Sequence, residues 1–318
     1  MHRRHFLQKS GLATASALSL PYVLPRETVH HLQQRKFTMS LDPGAIGVSA
    51  DQKQLIAYAA EYGFEAVTPF PDYLAKLSQE DSQALLNDMQ QKGISWGVAG
   101  LPVQFRTDED TFRTELKALP KAALGLQQAK VTRMSTWIMP NHAELNYLKN
   151  FKQHAERLRE VSKILEDHQI RLGLEYVGPK TLRDAKKYAF VHTLEETRAL
   201  IEEIGQPNVG VVLDSFHWFT AEEDVKDILT LSNKDVVAGD LNDAHEGRTA
   251  VEQIDGQREL PLATGIIDAK AFLEALITIG FDGPVRAEPF NQALRDMPNP
   301  EAVATTAEAM KEAFNLVS

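Results

Sequence analysis

Four acidic residues follow four successive apolar segments in the second half of the chain: Glu175, Asp214, Asp240 and Glu288. If these segments are parallel strands, their carboxyl ends meet at one edge, and alternation turns the four side chains to one face. Carboxylates that share a cavity cannot all stay ionised without a counter-charge. We therefore expect one divalent cation there. Oxygen ligands favour Mn²⁺ or Mg²⁺, and Zn²⁺ and Co²⁺ stay open as alternatives.

Several neighbouring side chains could complete such a site. His217 lies three residues after Asp214 and could bind a substrate or a metal. Arg133 and Arg286 could point inward and supply further positive charge, since Arg286 shares a strand face with Glu288.

Each of these residues also has a purely structural interpretation. An acid at a strand end is often a helix N-cap, as Asp243 could be. His217 could be a packed loop histidine, and His142 after the fourth strand is equally open. Trp218 is a candidate for stacking on a sugar ring, but it could equally be a core residue.

The elements that position these residues alternate regularly from residue 36 onward. Eight strand-helix pairs predict parallel strands joined by helical crossovers, which is a single (β/α)₈ TIM barrel of the α/β class. An open doubly wound sheet is the alternative, but no Gly-x-Gly-x-x-Gly follows a strand. The stretch 243–265 is long and irregular, which is typical of a functional loop. The predicted strands are 37–41, 65–69, 94–99, 131–138, 171–177, 209–213, 236–241 and 284–289. The predicted helices are 51–62, 79–91, 107–128, 143–168, 193–204, 221–231, 268–279 and 301–316.

Composition narrows the functional classes. The 318 residues include 34 Lys and Arg, 44 Asp and Glu and no cysteine, with 43% hydrophobic residues. This composition is that of a globular protein, and the absence of cysteine excludes disulfides, thiolate metal sites and a cysteine nucleophile. No apolar stretch of about 20 residues predicts a membrane span, so we expect no stable membrane insertion.

The charge is unevenly distributed. Residues 1–36 hold six basic side chains and one acid, a net charge of +5, so the formal charge of −10 leaves −10 − 5 = −15 for the remainder. Such an acidic body is an unsuitable partner for nucleic acid.

The first 34 residues are predicted to be a signal peptide and leader. Basic residues at the start precede small and apolar residues over 11–24, the pattern of an export signal. Arg3-Arg4 followed by Phe6-Leu7 resembles a twin-arginine signal, which predicts a periplasmic location. A basic N-terminal tail is the alternative. We place the barrel domain at 35–318.

At its strand ends the sequence resembles the xylose-isomerase-like TIM barrel superfamily, specifically the sugar phosphate isomerase/epimerase group. The resemblance covers residues 36–318. Its motifs are Leu172-Gly-Leu-Glu-Tyr-Val-Gly-Pro179, Val212-Leu-Asp-Ser-Phe-His217, Asp240-Leu-Asn-Asp243, Gly265-Ile-Ile-Asp268 and Gly283-Pro-Val-Arg-Ala-Glu-Pro289.

The resemblance implies a metal site on strands five to eight, where the family commonly supplies Glu, Asp, His and Glu. Carried over, these ligands are Glu175, Asp214, Asp240 and Glu288. The third departs from the pattern, because family members often have histidine where this chain has Asp240. That departure favours Mn²⁺ or Mg²⁺, and it leaves open a site that has lost its metal.

The implied activity is isomerisation or epimerisation of a free sugar, keto sugar or sugar derivative through an enediolate. Glu175 and Glu288 would be the acid/base pair, and His217 would hydrogen-bond the polarised oxygen. Arg248 and Lys180 are candidates for outer substrate contacts, and they are equally compatible with solvated surface charges.

Three alternatives remain within or beside this family. The same residues could serve a metal-dependent lyase or dehydratase acting on a keto sugar or inosose. A non-catalytic exported sugar-binding protein is a second alternative. A nuclease on the same barrel is disfavoured, because only six histidines lie outside the leader and the body is acidic. The expected partner is a small carbohydrate, and homo-oligomerisation stays open.

Overall fold

The computed structural model describes residues 34–318. The predicted signal peptide lies almost wholly outside the described residues, so it stays a prediction, as do the domain boundaries. No helix within 34–318 combines the length and apolar character needed to cross a membrane.

A single parallel sheet of nine strand segments forms the centre of the fold, in the order β3-β2-β1-β11-β10-β9-β7-β5-β4. Two further short segments, β6 and β8, pair with each other in the antiparallel direction. The strands are β1 Thr38–Leu41, β2 Ala66–Val67, β3 Ser95–Trp96, β4 Ala99–Gly100, β5 Arg133–Ile138, β6 Asn141–His142, β7 Arg171–Tyr176, β8 Tyr188–Ala189, β9 Val209–Asp214, β10 Val236–Asp240 and β11 Pro284–Arg286.

Helices cover the outer face of this sheet, as the alternating pattern predicts. Short 3₁₀ turns precede β10 and interrupt the loop that follows it. The α-helices are α1 Gln52–Tyr62, α2 Pro71–Leu74, α3 Gln79–Lys92, α4 Glu109–Gln128, α5 Tyr147–Asp167, α6 Lys180–Arg183, α7 Leu194–Ile204, α8 Ser215–Thr220, α9 Val225–Ile228, α10 Ala269–Thr278, α11 Gln292–Arg295 and α12 Asn299–Asn315.

The third barrel strand is divided into β3 and β4, whereas the sequence predicts one continuous strand. β3 pairs with β2, and β4 pairs with β5, so this one stretch of chain joins both ends of the sheet. Gly97 lies between the two halves and donates its N–H to the Val67 carbonyl at 2.8 Å. A Cβ at Gly97 would lie 2.4 Å from Ser40 Oγ, so the close approach requires glycine.

The predicted sixth helix, 221–231, is wrong in extent. A helix begins directly at the end of β9, because Asp214 Oδ1 accepts the N–H groups of Phe216 and His217 at 2.6 and 3.2 Å. This helix, α8, ends at Thr220, and Glu222 then takes a left-handed backbone conformation with φ of 58°. Only the four-residue α9 remains of the predicted helix.

The loop between β4 and α4 is held firmly against α5. Arg157 Nη1 donates to the carbonyls of Phe105 and Thr107 at 2.8 and 2.7 Å. The Phe105 ring meets the buried His154 ring edge-on, with centroids 5.3 Å apart. Because both contacts fix the loop backbone, they also fix where the intervening Arg106 can lie.

The burial of His154 should make the fold sensitive to acid. Burial lowers the pKa of His154 to about 3, while an unfolded histidine takes up its proton near pH 6.5. Between these values the unfolded chain binds more protons, so this contribution to stability is lost as the pH falls from about 6.5 to about 3. In urea unfolding followed by circular dichroism, His154→Met should lose less stability than the wild type between pH 7 and 4. Equal losses in both proteins would contradict this assignment.

Candidate functional site

The structure brings the four predicted acids together at the carboxyl end of the barrel. One oxygen from each of Glu175, Asp214, Asp240 and Glu288 lies within 4.8 Å of the other three. Asp214 and Asp240 are register partners at the ends of β9 and β10, and both are fully buried. Glu175 lies in β7, and Glu288 follows β11. We call these four residues the carboxylate cluster.

Arg286 holds one side of the carboxylate cluster. Its Nε and Nη2 donate to the two oxygens of Asp240 at 2.7 and 3.1 Å, which is a bidentate pair. Nη2 also reaches Glu288 Oε1 at 3.3 Å, and Nη1 donates to Asp42 Oδ2 at 2.7 Å. This arginine therefore joins the ends of β1, β10 and β11.

Arg258 holds the opposite side and is only 2% exposed. Its Nη1 donates to Asp214 Oδ2 at 2.8 Å and to Glu288 Oε2 at 3.1 Å. Its Nη2 donates to Asp255 Oδ1 at 2.8 Å. Glu288 thus lies between two guanidinium groups, and Asp214 caps α8 with one oxygen while the other pairs with Arg258. The helix-cap interpretation of Asp214 is therefore confirmed, and its role as a metal ligand stays a prediction.

The long loop 243–265 delivers Arg258 to this position. At its base, Asp243 accepts backbone N–H groups from Thr264, Gly265 and Ile267 at 2.7–3.0 Å. Asp243 is therefore the anchor of the loop rather than a helix N-cap. Above the base, the Arg258 backbone N–H donates to the Pro289 carbonyl at 3.1 Å, which ties the loop to the chain after β11.

His217 belongs to the same site. It is 1% exposed, and its Nε2 lies 3.4 Å from Glu175 Oε1 and 3.1 Å from Arg258 Nη2. Burial lowers the pKa of His217, so the neutral imidazole is favoured. The sequence prediction that His217 lies beside the acids agrees with this placement.

Burial and mutual repulsion disfavour ionisation of the carboxylate cluster. Removal from water raises the pKa of Glu175 well above its usual range, and the charges of Asp240 and Asp214 raise it further. Burial, followed by the charge of Glu175, likewise raises the pKa of Glu288 well above its usual range. Within the described chain the buried Oε1 of Glu175 has no hydrogen-bond partner, so no hydrogen bond competes for it.

A divalent cation fits this donor set. Arg258 and Arg286 pair with five carboxylates, those of Asp42, Asp214, Asp240, Asp255 and Glu288. Glu175 is the sixth acid of the site, so the net charge is −6 + 2 = −4 when all are ionised. The four converging donors are all oxygens, which hard cations prefer. The unpartnered Oε1 of Glu175 points to the same conclusion, because a buried carboxylate oxygen without a partner is costly.

Four predicted substrate contacts form no hydrogen bond or ion pair with the carboxylate cluster within 34–318. Trp218 is 8% exposed and packs against Phe272, with ring centroids 5.9 Å apart, as a core residue does. Lys180 forms an exposed ion pair with Asp184, the residue that follows α6.

Arg248 and His142 have local partners instead. Arg248 Nη2 donates to Gln257 within the long loop at 2.7 Å. His142 Nδ1 accepts the backbone N–H groups of Glu144 and Leu145 at 3.0 and 2.8 Å, so it closes a turn. The substrate-binding role predicted for Trp218, Lys180, Arg248 and His142 stays a prediction.

Arg133 does not supply positive charge to the carboxylate cluster. It lies at the amino end of β5, where it donates to the Val237 carbonyl and pairs with Asp282 at 2.6 Å. Sequence reasoning placed this side chain inside the barrel without distinguishing the two ends of the strand. The second counter-charge comes from Arg258, which no strand pattern indicates.

Sequence reasoning also missed residues at the rim: Asp42, Asp255, Arg106 and Trp137. Asp42 follows β1 as the other acids follow their strands, and this signal could have been used. The others lie in loops or, like Trp137, look like an ordinary strand aromatic.

Removing the Arg258 guanidinium should strongly destabilise the protein. Arg258→Met leaves buried carboxylates unpaired, which costs about 3–5 kcal/mol for buried pairs. Urea unfolding at pH 7 measures this loss, and the loss should shrink at pH 5 because the carboxylates can then take up protons. The matched control is Arg198→Met, at an exposed arginine that hydrogen-bonds only Thr230 in the described chain; we expect less than about 1 kcal/mol there. Equal losses in the two variants would refute the pairing.

Curated proteins with similar sequences carry enzyme names. Inosose isomerase from Bacillus velezensis is 29% identical over 157 residues, which is 49% of this chain and 53% of that protein. The matched segment thus spans about half the length of the relative. Ketose 3-epimerase from Arthrobacter globiformis is 28% identical over 104 residues, 33% of this chain and 32% of that protein. 3-Dehydroshikimate dehydratase from Pseudomonas aeruginosa is 28% identical over 110 residues, 34% of this chain and 17% of that protein.

Solved structures share the architecture over most of the chain. A xylose isomerase domain protein from Alicyclobacillus acidocaldarius superimposes with a TM-score of 0.77 at 29% identity, covering 88% of this chain and 99% of its own. The IOLI protein with a bound zinc atom gives a TM-score of 0.72 at 20% identity, covering 87% and 98%, and at that identity it supports the fold alone. The sequence pattern of one family matches residues 56–313, well over half of the chain. The chain therefore belongs to the xylose isomerase-like TIM barrel family.

Proposed function

We propose that the chain is a divalent-metal-dependent isomerase or epimerase of a small carbohydrate. The observation that carries the proposal is the convergence of Glu175 and Glu288, a buried and a partly buried carboxyl group with raised pKa, beside Asp214 and Asp240. Buried acids with raised pKa values suit proton exchange near neutral pH. The inosose isomerase and ketose 3-epimerase names of similar proteins support the same class of chemistry.

In this proposal Glu175 takes the proton from the carbon beside a carbonyl group. Its Oε1 has no competing hydrogen bond within the described chain, and its raised pKa favours holding the proton once taken. Glu288 returns a proton, with its carboxyl group held in place by Arg258 and Arg286. His217, 3.4 Å from Glu175, would hydrogen-bond the carbonyl oxygen.

The carboxylate cluster would hold the cation. When bound, a divalent cation supplies polarisation of the substrate carbonyl, which acidifies the neighbouring C–H bond. Because all four donors are oxygens, we favour Mn²⁺ or Mg²⁺. The zinc atom in the IOLI structure keeps Zn²⁺ as the alternative to test.

A second candidate function is a dehydratase acting on a keto sugar or inosose. Glu175 would then take the proton, and the hydroxyl group of the next carbon would leave as water with a proton from Glu288. The 3-dehydroshikimate dehydratase name of another similar protein favours this candidate.

In the isomerase or epimerase candidate, the position of proton return sets the product. Return of the proton to the opposite face of the same carbon gives epimerisation, and return to the neighbouring carbon gives isomerisation.

Replacing either carboxyl group should strongly slow proton exchange without abolishing binding. With Mn²⁺ and a panel of keto sugars in D₂O, mass spectrometry should detect deuterium in sugar recovered from the wild-type protein. Glu175→Gln and Glu288→Gln should slow this exchange by about 10²–10⁴-fold, which is the range for loss of a general acid or base. The control is Glu274→Gln, at an exposed residue of α10 paired with Lys270, which should exchange as fast as wild type.

The products separate the candidates. Deuterium in recovered sugar supports isomerisation or epimerisation, whereas an unsaturated product that has lost water supports the dehydratase. Sugar binding without exchange or product would contradict both and favour a non-catalytic sugar-binding protein.

A further inference from the structure

Arg106 stands at the rim of the barrel mouth, in the loop between β4 and α4. The half-buried guanidinium stacks against two aromatic rings, with its Cζ 4.4 Å from the Phe105 ring centroid and 4.1 Å from that of Trp137. The loop backbone on both sides is tied down by Arg157. The guanidinium is therefore held in a defined place rather than extended freely into solvent.

Arg106 differs from the two arginines of the carboxylate cluster in having no acidic partner. In the described chain its side chain makes one hydrogen bond, from Nη2 to Thr136 Oγ1 at 3.1 Å, and its Nε has no acceptor. Arg258 and Arg286 each contact three carboxylates. A partly buried guanidinium without an anion is unfavourable, so the structure leaves a partner to be supplied from outside.

Trp137 connects Arg106 to the face of the sheet that carries Glu175. Trp137 and Glu175 are register partners on the neighbouring strands β5 and β7, so their side chains leave the sheet on the same face. The Trp137 side chain is 41% exposed, which is unusual for an indole and leaves part of it open to a ligand. Glu175 is close enough for its charge to raise the pKa of Arg106, although burial outweighs this effect and lowers that pKa to about 10.

The chemistry of the missing partner follows from the donor set. A guanidinium presents parallel N–H groups that match the two oxygens of a carboxylate. The Arg106 guanidinium itself supplies a single positive charge. A singly charged carboxylate fits this better than a phosphate, which carries about two negative charges.

We propose that Arg106 binds a carboxylate group of the substrate, and that the substrate is an acidic keto sugar rather than a neutral one. This inference rests on the proposed function, because it assumes that the reacting carbon lies at the carboxylate cluster. The sugar ring or chain would lie along Trp137, with its carboxylate on Arg106 and its carbonyl end toward Glu175.

The test compares ligands that differ only in charge. 5-Keto-D-gluconate and L-sorbose share one carbon skeleton, with a carboxylate in the first where the second has a terminal CH₂OH. Isothermal titration calorimetry of the full chain with Mn²⁺ should give a dissociation constant at least about tenfold lower for the acid, the scale of one charged hydrogen bond. L-Sorbose 6-phosphate, which carries a phosphate at the same carbon, should bind more weakly than the acid.

Variants assign this preference to Arg106. Arg106→Gln should weaken binding of 5-keto-D-gluconate by about tenfold or more and leave L-sorbose unchanged. Arg106→Lys keeps the positive charge but loses the paired N–H donors of the guanidinium, so it should recover part of the affinity. The matched control is Arg113→Gln, because Arg113 also stacks on a phenylalanine, at 5.0 Å, but is exposed and pairs with Glu109 and Glu160. Urea unfolding of each variant checks that the fold is intact.

Each outcome decides the proposal. Equal affinity for the acid and the neutral sugar, no binding of the acid at 10 mM ligand (about 10⁻² M, weaker than ordinary substrate binding), or tighter binding of the phosphate would overturn it. Loss of acid binding in Arg113→Gln as large as in Arg106→Gln would also overturn it. Failure of the proposed function gives a different pattern, in which the acid binds through Arg106 but no deuterium exchange or dehydration follows.

Discussion

Two arginines, the buried Arg258 and the largely buried Arg286, offset the negative charge at the mouth of this barrel. Arg258 and Arg286 are inserted among carboxylates that strand ends bring together, and each of the two guanidinium groups contacts three acids. Without them the acids would repel one another in a space that excludes water, where such repulsion is strong. The rest of the site follows from them. The loop 243–265 carries Arg258 to Asp214, and the end of β11 carries Arg286 to Asp240.

The pair formed by Asp240 and Arg286 explains how this chain accommodates its departure from the ligand pattern that the sequence resembles. An aspartate in place of a neutral histidine adds one negative charge to a site already rich in acid. Arg286 neutralises that added negative charge through two hydrogen bonds to the Asp240 carboxylate. Because the pair is neutral, as an uncharged imidazole is, the excess negative charge that invites a divalent cation stays the same. In the proposed metal site, the aspartate would thus shift the ligand set toward oxygen without removing the reason for a cation.

The sequence predicted the parts of this structure that local patterns control. The strand ends carrying Glu175, Asp214, Asp240 and Glu288 could be found because apolar strands end in acids, and the helix at 194–204 because Thr193 and Gly205 mark its two ends. The division of the third strand could not be predicted, since it depends on Gly97 packing closely against Ser40 and on pairing with two distant strands. Arg258 could not be predicted either, because a long loop without periodicity does not reveal which side chain it turns inward. Arg106 could not be predicted either, because what distinguishes it is the absence of an acidic partner in the described chain, which only the structure shows.

The most direct test of this account is the metal content of the folded protein. After dialysis against Mn²⁺ and then metal-free buffer, elemental analysis should find about one ion per chain in the wild-type protein. Asp214→Asn keeps the shape of the side chain and an oxygen to cap α8 but removes a charge from the carboxylate cluster, so it should retain far less. No retained ion in the wild type, or equal retention in both proteins, would contradict the account and show that arginines and protons alone balance these acids.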